Sequence, residues 1–294
     1  MVSDTKNNII ELHIDILEDY IENNLSVLDL LTNRCTLSKQ KLKDAMAKGA
    51  VWLTATKDSA KAKPVRRKNA KLKAGNQLYL YYNPQVLQQI SSLPILIADE
   101  VDYSIWNKPY GVWSQGSKWG DHCSMGRLVE QYFEFNRQAF VVHRLDRAAN
   151  GLMLIAHNKK TAHKFAKLFA ERRVEKSYQA LVNGHFEKNQ IITIPIDDKP
   201  AISHVSLMTY NKEKQVSLLE VAIETGRKHQ IRKHLASIGM PIIGDRLYGK
   251  AKEEDIDLQL TSYKLCFECP ITGIRKEYRR KDLKSVSRFR GNGH

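Results

Sequence analysis

Cysteine is scarce, at four residues among 294 with irregular spacing. That excludes a disulfide framework and points to a reducing compartment. No stretch reaches 18 consecutive apolar residues, so no membrane-spanning helix is expected. The opening "MVSDTKNNIIELHIDILEDY" lacks both a basic start and an apolar core. A secretory signal is therefore not expected, and the reading is a cytoplasmic protein. Acidic residues are also in deficit: 32 stand against 47 Lys and Arg, a net charge of +15. Such a surplus favours a polyanion partner, because each phosphate neutralised releases a counterion. No fixed-period repeat, phosphate loop or dinucleotide fingerprint occurs, so no cofactor is implied. "CFEC" (Cys266 to Cys269) has zinc-ligand spacing but is half a site. Cys35 and Cys123 offer no matching pair, so no metal is expected.

What is present suits a large domain plus a small one. Hydrophobic residues make up 42% of the chain, enough for a sizeable core. Residues 1–20 read as a lead-in strand or irregular arm. Residues 21–84 read as helix, helix, strand, strand. Leu25, Leu28 and Leu31 share a helical face; Ser38 caps the second helix and Gly49 stops it; "AVWLTAT" and "AGNQLYLYYNP" follow as strands. Between Thr36 and Gly75 there are twelve Lys/Arg against two Asp, a basic surface suited to tracking phosphates. Lys39, Lys43, Arg66 and Arg67 are its candidate nucleic-acid contacts. Residues 85–94 read as a linker, 95–284 as a domain alternating strands and helices, and 285–294 as a basic tail. The clearest helix is "KKTAHKFAKLFAERR", with Ala162, Phe165, Leu168 and Phe169 on one face.

Two stretches carry chemistry. In "QAFVVHRLDRAANGLMLIAHN" two apolar strands flank a bend, and Asp146 sits on it between Arg144 and Arg147. Flanking cations favour the charged carboxylate. A carboxylate that merely caps a turn fits the same residues. In "ETGRKHQIRKHLASIGMPIIGDRLYG" a helix starts after a Thr-Gly turn, with an apolar stripe of Ile231, Leu235 and Ile238 and a stop at Gly239. Arg227, His229, Gln230 and Arg232 crowd its first turn. Cations there oppose the helix dipole, so an anion, either an acidic side chain or a phosphate, should compensate.

"HRLDRAANGLMLIAHN", "RRVEKSYQALVNG" and "TGRKHQIRKHLASIGMPIIGDRLYG" together resemble, in order and spacing, three signatures of the RluA-type pseudouridine synthases. "WNKPYG" resembles that family's opening turn and "LCFECPITG" its last strand. The basic unit at residues 21–84 resembles an alpha-L type RNA-binding domain. The resemblance implies an α+β fold: a mixed, largely antiparallel central sheet flanked by helices, plus a small basic N-terminal α/β domain. It also implies isomerisation of uridine to pseudouridine in RNA, ribosomal RNA being favoured over transfer RNA. By position, Asp146 is then the catalytic carboxylate and Arg232 its ion-pair partner. Tyr178 then stacks on the flipped uracil or serves as a base, and Arg144 fills the gap that the nucleotide leaves. Lys108 and His143 lie within the same motifs and, with Arg227, His229 and Gln230, are candidate RNA contacts. The expected partner is RNA, with no membrane and no small-molecule cofactor, and the protein is expected to be a monomer. The chain departs from the family at Ala149 and Asn150, where members usually carry Thr and Ser. Asn150 can replace one hydrogen bond and Ala149 cannot. The alternative reading is therefore a catalytically silent RNA-binding or assembly factor on the same scaffold. A glycosidase is ranked last, since it needs two carboxylates and only one stands in these motifs.

Overall fold

The computed structural model describes residues 9–54, 62–68, 70–252 and 256–280. Part of the basic loop "KDSAKAK" and the whole basic tail lie outside the described residues. The chain divides into two compact units, Met1–Ser91 with Gln115–Arg127, and Ser92–Ser114 with the remainder from Leu128.

The first unit contains β1 (Ile10–Asp15), α1 (Glu18–Glu22), α2 (Val27–Thr32), α3 (Lys39–Ala47), β2 (Val51–Thr54), β3 (Ala62–Pro64), β4 (Gln77–Tyr82) and α4 (Pro84–Leu87). Its sheet runs β1-β4-β2-β3. The lead-in segment is thus an edge strand, paired antiparallel with β4. Ser26 and Asp29 form a reciprocal capping box on α2. Ser38 accepts the Lys41 amide at the start of α3, and Gly49 leaves the helix at φ +79. Val27, Leu28, Leu30, Leu31, Leu42 and Met46 are buried against Ile14, Leu78 and Leu80 of the sheet. The drawn-in segment 115–127 is fastened within this unit by an Arg66–Asp121 ion pair and by Trp52 Nε1 donating to the Lys118 carbonyl at 3.1 Å.

The second unit opens with β5 (Ile95–Asp99) and β6 (Tyr103–Lys108). After α5 (Met125–Tyr132) come β7 (Phe140–Val141), β8 (Asn150–Ala156), α6 (Lys159–Ala170), β9 (Glu175–Asn183) and β10 (Gln190–Ile192). β11 (Ser203–Asn211), β12 (Val216–Ile223), α7 (Gln230–Ser237), β13 (Leu260–Glu268) and β14 (Arg275–Arg279) complete it. The sheet order is β10-β11-β12-β9-β13-β8-β6-β5, with β14 paired to β13 and β7 to β8. β13 and β8 run parallel and the other described pairs antiparallel, so the sheet is mixed and largely antiparallel, as the resemblance implied. Asn158 caps α6, whose Phe165 and Leu168 pack with Leu152 and Leu154 of β8. On the other side Ile231 and Leu235 of α7 share a core with Tyr178, Ala180 and Val221. The segment carrying Asp146 leads directly into β8.

The parallel pair needs glycine at its start. Gly151 stands at φ +112, and a Cβ there would lie 2.1 Å from the Ser262 carbonyl oxygen. No side chain fits that approach without moving β13. Gly151→Ala is therefore expected to lower stability by about 2–4 kcal/mol, read as a shift of the urea midpoint. A change under 0.5 kcal/mol would show that β13 can yield.

Candidate active site

The segment between β7 and β8 is held from both sides. The Ala149 amide donates to the Asp146 carbonyl at 3.1 Å, closing a turn. Ser114 Oγ donates to the Leu145 carbonyl at 2.6 Å and accepts the Leu145 amide at 2.9 Å. The Gly111 amide donates to the Arg147 carbonyl at 2.9 Å. Lys108 Nζ donates to the carbonyls of Pro109 (3.0 Å), Val112 (2.7 Å) and, more weakly, Arg147 (3.4 Å). The "NKPYG" turn and the Asp146 bend are thereby bound into one rigid piece. Just behind it, Asn150 Oδ1 accepts from Thr261 Oγ1 (2.7 Å) and from Arg280 (2.8 Å). Ala149 is buried in the adjoining core. Asn150 is thus hydrogen-bonded at the start of β8, and Ala149 contributes apolar packing.

Asp146 opens into a cleft of about 270 Å³ lined also by Arg144, Tyr178, His229 and Arg232. His229 Nε2 lies 3.8 Å from Asp146 Oδ1, and its Nδ1 is bonded to the Tyr248 hydroxyl at 2.9 Å. His229 holds a left-handed backbone at φ 55 as the residue before α7. Burial lowers its pKa, outweighing the pull of Asp146. Burial, with Asp146 adding to it, raises the Tyr178 phenol well above its ordinary value. Tyr178 is therefore a protonated, buried ring beside a carboxylate. Lys108 is fully buried. Burial pushes it down to about 7, with Asp146 opposing and Arg147 reinforcing the shift.

The expected Arg232–Asp146 pair takes a different form. Arg232 makes a buried bidentate pair with Asp245, Nε to Oδ2 at 2.8 Å and a terminal nitrogen to Oδ1 at 2.6 Å. Asp245 also accepts the amides of Leu247 and Tyr248. Burial opposes both charges. The pair overcomes it, so Arg232 is raised and Asp245 lowered, and Asp146 contributes to Arg232 as a secondary electrostatic neighbour. The reason is stereochemical: Asp245 presents both oxygens in the plane of the guanidinium, and a fork-to-fork contact outcompetes a single long-range attraction. Asp245 stood in the "GDRLYG" motif without an assigned role. The need for an anion near the cation-rich start of α7 was the signal that could have found it.

Other expected contacts divide by accessibility. Arg144 is exposed and lines the cleft. Arg227 lines it too, with Nε bonded to the Pro200 carbonyl at 3.1 Å. Gln230 is saturated: its oxygen accepts from Thr225 and the Arg227 amide, and its nitrogen donates to Ile202 and Ser203. It holds α7 to β11 and has no donor left for RNA. Lys108, likewise expected as an RNA contact, is enclosed by carbonyls. His143 accepts the Leu154 amide at Nε2 (2.8 Å) and stacks on Phe169 at 4.4 Å. Burial pushes it down to about 3, so it is a neutral buttress of β8. In the first unit Lys39, Lys43 and Arg67 are exposed, whereas Arg66 is tied to Ala47 and Asp121. Among the described residues no group of three or more His, Cys, Asp or Glu is placed to hold a metal ion. No helix among them is long and apolar enough to cross a membrane.

The cleft combines a single carboxylate, a buried tyrosine and a rim of arginines on a mixed, largely antiparallel sheet. A family model described as RNA pseudouridylate synthase matches residues 102–237. An uncharacterized RNA pseudouridine synthase of Zymomonas mobilis is 34% identical over 175 residues, 53% of this chain and 79% of that protein. The ribosomal large subunit pseudouridine synthase D of Nitrosomonas europaea is 31% identical over 184 residues, 56% of this chain and 53% of the relative. In fold, the human RNA pseudouridylate synthase domain containing 1 matches with a TM-score of 0.56 at 22% identity, over 68% of this chain and 89% of that one. The chain belongs to the RNA pseudouridylate synthase family. It is an enzyme that isomerises uridine in RNA to pseudouridine.

Lys108 yields a pH test. The unfolded chain keeps a lysine proton up to about 10.5, whereas the folded protein releases it near 7. Between those values the unfolded state binds more protons, so stability rises with pH and is lost as pH falls towards 7. Relative to Lys108→Met, the wild-type protein should gain up to about 1.4 kcal/mol per pH unit across that window. Urea unfolding of both proteins at pH 7 and pH 9 measures it. A difference independent of pH would mean that Lys108 stays charged throughout.

Proposed function

We propose that Asp146 is the carboxylate that drives the isomerisation, acting on a uridine flipped into the cleft. One observation carries the reading. Lys108, Tyr178, His229 and Arg232, drawn from three distant parts of the chain, all have Asp146 as an electrostatic neighbour. The reaction breaks the bond from sugar carbon to base nitrogen, turns the uracil and joins a base carbon to the same sugar carbon, with no atom gained or lost overall. The carboxylate attacks covalently, or it stabilises the electron-poor sugar while a neighbouring sugar proton departs. In both routes a preorganised negative charge faces the sugar.

Tyr178 offers a flat face on which the uracil stacks. Because its phenol is held protonated, a role as donor or stacking surface fits the site better than that of a ready-made base. Arg144, exposed beside the cleft, occupies the gap in the RNA helix. Arg232 contributes positive charge from behind its Asp245 partner. Ribosomal RNA is favoured as the substrate class. The basic first unit and the name of the Nitrosomonas relative support that choice. The scarcity of cysteine supports a cytoplasmic setting. The bonds made by Asn150 weigh against a catalytically silent scaffold.

Asp146→Asn keeps the shape and removes the charge. It should reduce tritium release from RNA labelled at uridine C5 to below a few per cent of wild type, with RNA affinity changed by less than about threefold. Turnover above that level would remove Asp146 from the chemistry. Mapping pseudouridine in a host with and without the protein tests the RNA class, and a site lost only from transfer RNA would overturn the ribosomal assignment.

A further inference from the structure

Trp113 is a large aromatic residue left 43% exposed. It stands on the "NKPYG" side of the rigid piece that carries Asp146. The Arg147 guanidinium lies over its ring, with Cζ 4.8 Å from the centroid. Arg147 is itself exposed but not loose: its Nε donates to the Gly111 carbonyl at 3.1 Å, and its own carbonyl accepts the Gly111 amide. Its two terminal nitrogens have no hydrogen-bond partner among the described residues. Neither residue lines the cleft. Arg147 nevertheless follows Asp146 directly on the turn, so the pair lies one residue along the chain from a residue that lines the cleft. A guanidinium over an indole ring offers two layers to which a nucleobase can add a third, and its unbonded N–H groups can donate to a phosphate.

We infer that the Trp113–Arg147 pair is an RNA-stacking subsite for a nucleotide next to the flipped uridine, holding the strand after the target has left the stack. The inference rests on the reading that the Asp146 cleft receives the target uridine. The subsite accepts any base, since every base has a π face, so it contributes affinity for unpaired RNA and not sequence choice.

The test is single-turnover tritium release from uridine-labelled total RNA, with enzyme concentration varied, for wild type, Trp113→Ala, Trp113→Leu and Trp113→Phe. Trp113→Ala and Trp113→Leu should raise the half-saturating enzyme concentration about tenfold and leave the limiting rate within about threefold. Trp113→Phe, which keeps a flat ring, should stay within about threefold of wild type in both. Leucine preserves apolar cover over Arg147 without a π face. If it behaved like phenylalanine, Trp113 would only be bracing the turn and the inference would fall. It would fall equally if all three variants bound normally, or if only the limiting rate dropped. Filter binding of total RNA by Asp146→Asn with and without Trp113→Ala separates this inference from the catalytic reading. Tenfold weaker binding of the double variant supports stacking whatever the chemistry shows, and unchanged binding refutes stacking while leaving Asp146 untouched.

Discussion

A lysine buried among carbonyl oxygens holds the candidate active site together. Lys108 leaves β6, where its neighbours are Trp106 and Ile105 in the core, and turns its ammonium into a cage made by Pro109, Val112 and Arg147. Two loops 39 residues apart in the chain are joined at that point. Desolvation makes the charge costly, and the carbonyls and the nearby Asp146 offset part of that cost only while they stay where they are. The cation therefore penalises any movement of the loop that carries the carboxylate. Ser114, bonded twice to Leu145, does the same with neutral groups.

Around Asp146 the charges are arranged in layers. His229 is the nearest cation-capable group, at 3.8 Å, and burial favours its neutral form. Arg232 is permanently charged but already satisfied by Asp245. A direct bidentate pair with Asp146 would tie up both carboxylate oxygens and leave none facing a substrate. Pairing Arg232 with a second, fully buried acid keeps positive potential in the cleft while leaving Asp146 open to it. Tyr178 contributes a ring whose hydroxyl stays protonated under the combined effect of burial and the same carboxylate.

Much of the architecture was legible in local patterns. Ser38 and Gly49 mark the ends of α3 because capping and left-handed exit depend on neighbours a few residues away. Phe165 and Leu168 point to the core because a 3.6-residue period is a local property. Gly151 could be recognised as a place of close approach, although the neighbour it approaches, Ser262, could not. The first strand was less legible: "IELHID" is short and half-exposed, and it becomes a strand by pairing with β4, more than sixty residues on.

The sequence by itself determined the family, the bend that presents Asp146, and the surplus of positive charge, since each is written in residue type and short-range spacing. Tertiary structure alone decided which polar residues stay available at the surface. Lys108, Gln230 and Arg66 have the composition of RNA ligands, yet folding consumes their donors internally. Arg144, Arg147 and Trp113 are left at the surface. The physical reason is that a side chain's availability depends on burial and on partners brought in by long-range contacts. Asp245 for Arg232 and Arg147 for Lys108 are partners of that kind, and no local spacing in the sequence encodes them.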